Sequence, residues 1–266
     1  VYQQVLDNER AGRYLGKTVQ VIPHVTDEIQ RRIQVLADDA KVDVIITEVG
    51  GTTGDIEGLP FLEAIREFAR DAGPHNVCFI HVTYVPFIKA AGELKTKPTQ
   101  HSVKELLSVG IQPDILLCRS EKPIPAELRQ KIAAFCNVGK DDVISAHDVD
   151  NIYQLPLVFH EQGLDNRILQ RFGGTWGVQS PQLEPWATYA ARAKSPPHTV
   201  KVAVVGKYVH LTDTYKSLNE ALTHGGIAND ARVELTYFDS EDLDAHNVAS
   251  KLEGVDAVLI PGGFGA

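Results

Sequence analysis

The sequence predicts an α/β protein made of two units, each built on a parallel β-sheet. Short apolar runs rich in β-branched residues alternate with segments of helical period, which is the pattern of βαβ units. The runs are apolar throughout, so helices are expected to cover both faces of the sheet. A stretch rich in Gly, Pro and Ser over residues 173–197 separates the two units.

In the first unit, predicted strands and helices follow one another along the chain. The helices carry terminal signals, such as a Thr cap at Thr26 and a proline in the opening turn at Pro60. A further helix is predicted over residues 1–11. The strands are predicted at residues 18–22, 42–48, 77–85, 115–119 and 143–146, and the helices at 26–38, 60–72, 99–109 and 125–135.

The second unit begins after a predicted linker at residues 179–198, which includes a short helix near 186–194. Its predicted elements are a strand at 200–205, a helix near 213–224, and strands at 232–238 and 255–260. These are too few to close a core, so this unit is expected to be incomplete. The resulting division is 1–178, 179–198 and 199–266.

Composition excludes several classes of protein. The 266 residues are 43% hydrophobic and 23% charged, which is ordinary for a globular protein and unlike collagen or a disordered chain. No apolar run approaches the roughly 20 residues that span a bilayer. The net charge of −9 argues against nucleic-acid binding driven by overall charge. Three cysteines without a C-x-x-C pair predict buried, reduced thiols and a cytoplasmic location.

The ends of the sequence predict an internal piece of a longer protein. It contains no methionine, opens at Val1 in a helical segment, and stops just after an apolar run that leads into glycines. A strand that ends in a glycine loop normally continues into another element.

The first candidate site is a carboxylate at the end of the predicted strand 42–48. Ligands bind outside the carboxyl ends of strands in open α/β sheets, and Glu48 there is placed to hold Mg²⁺ on a nucleotide phosphate. A helix cap or a solvated side chain is an equally good interpretation of Glu48 alone. The glycine-rich loop 50–58 that follows, with Asp55 and Glu57, favours a ligand site.

A second candidate, the loop of residues 92–101, combines two lysines with hydroxyl and amide groups just before a helix. Free backbone N–H groups and the helix dipole favour an anion there, so phosphate binding is predicted. A solvated lysine pair is the alternative. The residues concerned are Lys95, Thr96, Lys97, Pro98, Thr99 and Gln100.

Three further patterns in the sequence are weaker. Residues 12–18 resemble a G-x-x-x-x-G-K-[ST] phosphate loop but are one residue short and follow a helical segment, so that interpretation is rejected. His147 beside Asp148, after a strand, is a candidate ligand contact. Gly262 and Gly263 offer N–H groups for an oxyanion hole or simply form a turn.

Taken together and in this order, these stretches resemble the CTP synthase family. The resemblance covers residues 1–265 and is weakest across 173–199. The matching segments are residues 18–24, Glu48 with 50–57, 59–66, 95–107, 110–114, 205–208 and 261–265.

The resemblance implies a P-loop-NTPase-like (Rossmann-type) synthetase domain, followed by the truncated start of a class I glutamine amidotransferase domain. The family's phosphate loop and first Mg²⁺-binding Asp would precede Val1, and its glutaminase Cys, His and Glu would follow Ala266. No catalytic residue is therefore assigned. The polypeptide as given is expected neither to hydrolyse glutamine nor to make CTP.

The resemblance also implies roles for individual residues. Glu48 corresponds to a Mg²⁺ ligand, and Gly262 and Gly263 to the oxyanion and glutamine site. The UTP or CTP contacts would be Asp55, Ile56, Glu57, Lys95, Thr96, Lys97, Pro98, Thr99, Gln100 and Lys131. The ATP contacts would be His147, Asp148 and Val149.

The implied reaction is the ATP-dependent amination of UTP to CTP. ATP phosphorylates the uracil 4-oxygen, and ammonia from glutamine displaces the phosphate. Mg²⁺ with ATP is the implied cofactor, CTP the inhibitor and GTP the activator of a homotetramer. Two alternatives stay open: a related amidoligase of the same fold, and a non-catalytic nucleotide-binding or assembly module.

Overall fold

A computed structural model of the chain describes residues 1–40, 42–174, 180–211 and 213–263. They form two compact units, one of Val1–Asp148 and Val158–Ser180, the other of Val149–Leu157 and Pro181–Ala266. Both contain parallel strands and helices, which confirms the predicted α/β class. Residues 175–179, which fall in the Gly-, Pro- and Ser-rich stretch 173–197, lie outside the described part. No helix in the described part is long and apolar enough to cross a membrane.

The first five helices of the first unit begin and end close to the positions that the sequence predicts, whereas two helices within residues 155–171 were not predicted. Proline near the start of three of them accounts for part of this agreement, because it fits the first turn and fixes φ. The helices are α1 (Tyr2–Arg10), α2 (Thr26–Ala40), α3 (Leu59–Ala72), α4 (Lys97–Ser108), α5 (Ala126–Cys136), α6 (Leu155–Glu161), which continues from the second unit, and α7 (Leu164–Arg171).

Three parallel strands form the sheet of the first unit: β1 (Ile80–Tyr84), β4 (Ile115–Ser120) and β5 (Val143–His147), in the order β1-β4-β5. Between β1 and α4 the chain makes a short antiparallel hairpin that the sequence did not predict, β2 (Phe87–Ile88) with β3 (Glu93–Leu94). The core between β4, β5 and the helices is apolar, and its fully buried side chains include Leu116, Ile132 and Val143.

Two predicted strands are wrong. Residues 42–48 are not in a strand, and Val44 and Ile46 are 51% and 92% exposed. Residues 18–22 also form no strand and lead into a helical turn, Val21–Val25, that contains Pro23. A strand needs a neighbour to accept and donate its ladder hydrogen bonds, and no strand of the described ranges pairs with either segment.

The expectation that helices cover both faces of the sheet is met only in part. Leu116 on the central strand β4 and Ile144 on β5 are no more than 1% exposed. On β1, in contrast, Val82 is 60% exposed and Tyr84 53% exposed. Since β1 pairs only with β4 among the described strands, it is an edge strand, and one face of it is open.

A buried carboxylate stabilises the start of α2. Glu28 is 5% exposed and accepts hydrogen bonds from Arg31 (2.7 Å to Nε) and Arg32 (2.9 Å to Nε). The hydrogen bond from Arg31 is the main reason that the pKa of Glu28 falls from 4.5 to about 2. Its position in the first helical turn adds a favourable interaction with the helix dipole.

Neutralising Glu28 is expected to destabilise the first unit. Because the folded pKa lies below the unfolded one, the contribution is complete above about pH 4.5 and disappears as the pH falls toward about 2. We expect Glu28→Gln to lower the free energy of unfolding at pH 7 by about 2 to 3 kcal/mol, allowing for the exposure of both arginines. Urea unfolding at pH 7 and pH 3 measures this loss, which is expected to shrink at pH 3. The exposed Asp27→Asn in the same turn is the control, and an equal loss in both variants contradicts the expectation.

The second unit has the parallel strand order β7-β6-β8, with β6 (His198–Gly206) in the centre between β7 (Ala231–Asp239) and β8 (Ala257–Leu259). The helices α8 (Glu184–Lys194), α9 (Lys216–Ala228) and α10 (Val248–Lys251) accompany them. Ala190 of α8 and Ile227 of α9 pack with Tyr153 in a small core. The segment predicted as a linker therefore carries a helix that belongs to the core of this unit.

Candidate functional site

The predicted phosphate loop lies at the carboxyl end of β1. The β2–β3 hairpin brings the chain back, so that the N–H of Lys95 donates to the carbonyl oxygen of Pro86, just beyond β1, at 2.9 Å. Helix α4 begins two residues later, with Pro98 in its first turn. The free N–H groups of a helix N-terminus therefore lie beside the end of a parallel strand, the usual place for a ligand in such sheets.

Three of the predicted lysines come together around this loop. Lys95 hydrogen-bonds the carboxylate of Glu93 and lowers the pKa of that group, and the positive charge of Lys131 on α5 adds to the same effect. Lys97 Nζ lies 5.8 Å from the ring centre of Phe135, also on α5. Lys95 in the loop, Lys97 at the start of α4 and Lys131 on α5 thus lie around one region. Glu93 is the carboxylate with which an incoming anion would compete.

The two threonines of the loop turn inward. Thr96 and Thr99 are 5% and 0% exposed. The Thr96 hydroxyl accepts from Nε2 of Gln100 at 3.1 Å, and the Thr99 hydroxyl donates to the carbonyl oxygen of Tyr84 at 3.0 Å. A nucleotide contact at these two positions would therefore come from the backbone, whereas the side chains of Lys95 and Lys97 are exposed.

The loop with Asp55, Ile56 and Glu57 lies beside the same helix. Its residues Ile56–Gly58 form a short helical turn before α3, and Ile56 is 81% exposed. A Cβ added at Gly54 would lie 3.9 Å from Cγ of Glu105 on α4. Glu105 is six residues along α4 from Thr99, about 9 Å at 1.5 Å per residue. The two predicted pyrimidine-nucleotide segments therefore flank one helix.

Glu48 lies in the segment that forms no strand, and it is exposed. Among the described residues no three His, Cys, Asp or Glu side chains are grouped to hold a metal ion. Mg²⁺ in nucleotide sites commonly takes only one or two carboxylates, together with phosphate oxygens and water. The donor set is thus compatible with Glu48 as one ligand of a nucleotide-bound Mg²⁺, and it does not form an all-protein site.

His147 and Asp148 lie at the carboxyl end of β5, next to the end of β4. Asp148 forms an ion pair with Arg119 (2.9 Å), and its N–H donates to the carbonyl oxygen of Ser120 at 3.0 Å. His147 Nδ1 is 3.5 Å from Oγ of Ser145. The next residue, Val149, belongs to the second unit. His147 and Asp148 thus stand at the same sheet edge as the phosphate loop.

Sequence reasoning missed two cations at this edge. Arg119 bridges Asp148 and the carbonyl oxygen of Ala146 (3.1 Å), and Lys122 Nζ lies 3.8 Å from the ring centre of Phe87 in the hairpin. Their positions at the end of a buried strand could have indicated a role in the site, because ligands bind at strand ends in parallel sheets. The tight Lys122–Phe87 contact also attaches the hairpin to the end of β4.

The glycines predicted for an oxyanion site follow β8 in the second unit. A Cβ at Gly263 would lie 3.6 Å from Cδ of Lys207, which follows the neighbouring strand β6. Gly262 and Gly263 therefore lie at the carboxyl edge of this sheet. Phe264 and Gly265 are outside the described residues, and the oxyanion role stays a prediction.

The fold and this site define an α/β protein with parallel sheets and a cationic loop where the strands end. Residues 1–173 match the family described as CTP synthase N-terminus. The chain belongs to the CTP synthase family.

Curated relatives named CTP synthase match along the whole chain. Those of Geobacter sulfurreducens and Rhodospirillum centenum are each 56% identical, over 266 and 265 residues. The one from Nitratidesulfovibrio vulgaris strain DP4 is 55% identical over 265 residues. These matches take in 100% of this chain and 48–49% of each relative. The chain therefore spans about half the length of the curated relatives it matches.

Proposed function

We propose that this chain is the pyrimidine-nucleotide-binding part of a CTP synthase, a ligase that aminates UTP to CTP with ATP and ammonia from glutamine. The observation that carries the proposal is the convergence of Lys95, Lys97 and Lys131 at the N-terminus of α4. Three ammonium groups and free helix N–H groups complement a triphosphate, whose charge is too high for a single lysine to neutralise.

The other predicted site residues would complete the nucleotide sites. Gly54, next to Asp55, lies beside α4. The carboxylates of Asp55 and Glu57 and the backbone of Ile56 would accept hydrogen bonds from the base or ribose. His147, Asp148 and Val149 would contact ATP. Glu48 would give one carboxylate to its Mg²⁺, which when bound would neutralise charge during phosphoryl transfer.

The second unit would be the start of a glutamine amidotransferase domain of class I. Its parallel sheet ends in Gly262 and Gly263, whose backbone N–H groups suit a developing oxyanion. The first unit would have the P-loop-NTPase-like fold of the synthetase domain. The assembled enzyme would be a cytoplasmic homotetramer that CTP inhibits and GTP activates.

Titration calorimetry of the 266-residue chain tests the substrate class. We expect CTP and UTP to bind with a dissociation constant below about 1 mM, corresponding to more than about 4 kcal/mol. Tripolyphosphate, which has the charge without the base, is expected to bind at least about tenfold more weakly. Cobyrinate and diaminopelargonate, substrates of related amidoligases, are expected to produce no heat.

The outcomes separate the alternatives. Equal affinity for CTP and tripolyphosphate would leave only an anion site and contradict pyrimidine recognition. A chain whose circular dichroism shows it to be folded, and which releases no heat with CTP at several millimolar, would favour an assembly module. Heat with the amidoligase substrates alone would identify a different ligase.

A further inference from the structure

The contact between β1 and α4 changes from apolar to polar near the nucleotide site. Val85 and Val103 are at most 1% exposed and pack in the apolar core. Beside them, Thr83 on β1 faces Thr99 on α4, and His81 faces Ser102, with Oγ1–Oγ1 and Nε2–Oγ distances of 3.1 and 2.8 Å. We call these four residues the polar seam.

The seam follows from the periods of its two elements. Residues 81 and 83 share one face of β1 because side chains alternate along a strand, and residues 99 and 102 share one face of α4 at a spacing of three. The seam continues into the sheet, since the Thr83 hydroxyl donates to Sγ of Cys118 on β4 at 3.4 Å. The single hydroxyl proton of Thr99 is shared between two acceptors, Thr83 Oγ1 at 3.1 Å and the carbonyl oxygen of Tyr84 at 3.0 Å.

Stability alone does not explain these buried hydroxyls. Seven polar side chains are buried in the described part of the chain. Two of them, Thr96 and Thr99, lie at the start of α4, and a third, Thr83, lies on β1 opposite Thr99. A buried hydroxyl costs free energy unless it is hydrogen-bonded, and a valine would fill the same space without that cost. Hydrogen bonds are directional, however, so they fix how far α4 is rotated and shifted along β1, which apolar packing fixes less strictly.

The position of α4 along β1 determines where the protein's nucleotide-binding groups lie. Thr99 follows Lys97 by two residues, and its hydroxyl donates a hydrogen bond to the carbonyl oxygen of Tyr84, the last residue of β1. On the other side of the loop, the N–H of Lys95 donates a hydrogen bond to the carbonyl oxygen of Pro86. The loop between these two anchors holds Lys95, Lys97 and the first free N–H groups of the helix.

We propose that Thr83 and Thr99 are positioning residues for the nucleotide site: their hydroxyl pair sets the N-terminus of α4 against the end of β1, so that the triphosphate meets the lysines and helix N–H groups in register. This inference rests on the proposed function. His81 and Ser102 support the same register one turn further along α4. Neither threonine hydroxyl needs to touch the nucleotide.

The test compares Thr99→Val, Thr83→Val and the double variant with Thr99→Ser, which keeps the hydroxyl. We expect each valine variant to weaken CTP binding by about tenfold, the double variant by little more than either single one, and Thr99→Ser by less than about twofold. Val103→Ala is the matched control on the same helix: it is expected to lower thermal stability and leave CTP affinity unchanged.

Hydrogen exchange without ligand makes the result independent of nucleotide binding. The Lys95 and Gln100 amides donate to Pro86 and Thr96 carbonyls, and we expect them to exchange faster in Thr99→Val but not in Thr99→Ser. If these amides respond but the wild-type chain binds no CTP, the hydroxyl pair still fixes the register of α4 on β1, and it is the proposed function that fails. Unchanged exchange and affinity in the valine variants, or an affinity loss in Val103→Ala as large as theirs, would overturn the inference.

Discussion

CTP affinity is expected to fall by at least about 100-fold when Lys95 and Lys97 are both replaced by Gln. A hydrogen bond to a charged group contributes about 1.5 to 3 kcal/mol, so the loss of two corresponds to about 3 to 6 kcal/mol. Both side chains are exposed, and the packing of α4 depends on Val103 and Leu106, so the fold is expected to persist. Titration calorimetry measures the loss, and thermal unfolding checks the fold.

Two control variants separate a specific site from general attraction. Lys104→Gln removes one exposed charge from the same helix, about two turns away from Lys97, and is expected to change affinity by less than about twofold. Glu93→Gln removes the carboxylate bound to Lys95 and is expected to leave CTP affinity equal or higher. If Lys104→Gln weakens binding as much as either loop lysine changed singly, the loop is not the phosphate site.

Local signals in the sequence predicted most of the helices and the strands β4 and β5. The proline at the start of α3 and the acidic first turn of α2 act within a few residues, and those helices begin where predicted. Strands β4 and β5 are buried on both faces, so their continuous apolar runs identify them. Residues 42–48 have the same apolar pattern, but a strand also needs a neighbour, which only the tertiary arrangement supplies.

The features of the candidate site likewise fall into those that local sequence predicts and those that depend on tertiary packing. A lysine-rich loop before a helix is visible in the sequence, and the structure places it at a strand end as expected. The approach of Lys131 to Lys95 depends on how α5 packs, and without the family resemblance nothing in its own segment marks it. The inward turn of Thr99 could not be predicted either, because it depends on the register between α4 and β1. Arg119 and Lys122 could have been predicted from the sequence, because they are cations at the end of a predicted strand.

Gly226→Ala is expected to lower the stability of the second unit by up to about 2 kcal/mol. Helix α9 crosses β7 at this residue, and an added Cβ would lie 2.6 Å from the carbonyl oxygen of Ala231 and 2.8 Å from Cγ2 of Val233. The first of these is a backbone atom, so the helix itself must move away from the sheet. Overpacking of this kind typically costs about 1 to 3 kcal/mol, more than the roughly 1 kcal/mol that alanine gains over glycine in a helix.

Gly225→Ala supplies a control at the adjacent residue. It has the same helical environment, but a Cβ there would meet nothing within 4 Å, so the propensity gain is expected without the clash, a stabilisation of about 0.5 to 1 kcal/mol. Urea unfolding followed by circular dichroism gives the difference between the two variants. Hydrogen exchange along β7 assigns the loss in Gly226→Ala to this unit. Two variants of equal stability would show that α9 and β7 are not in close contact at Gly226.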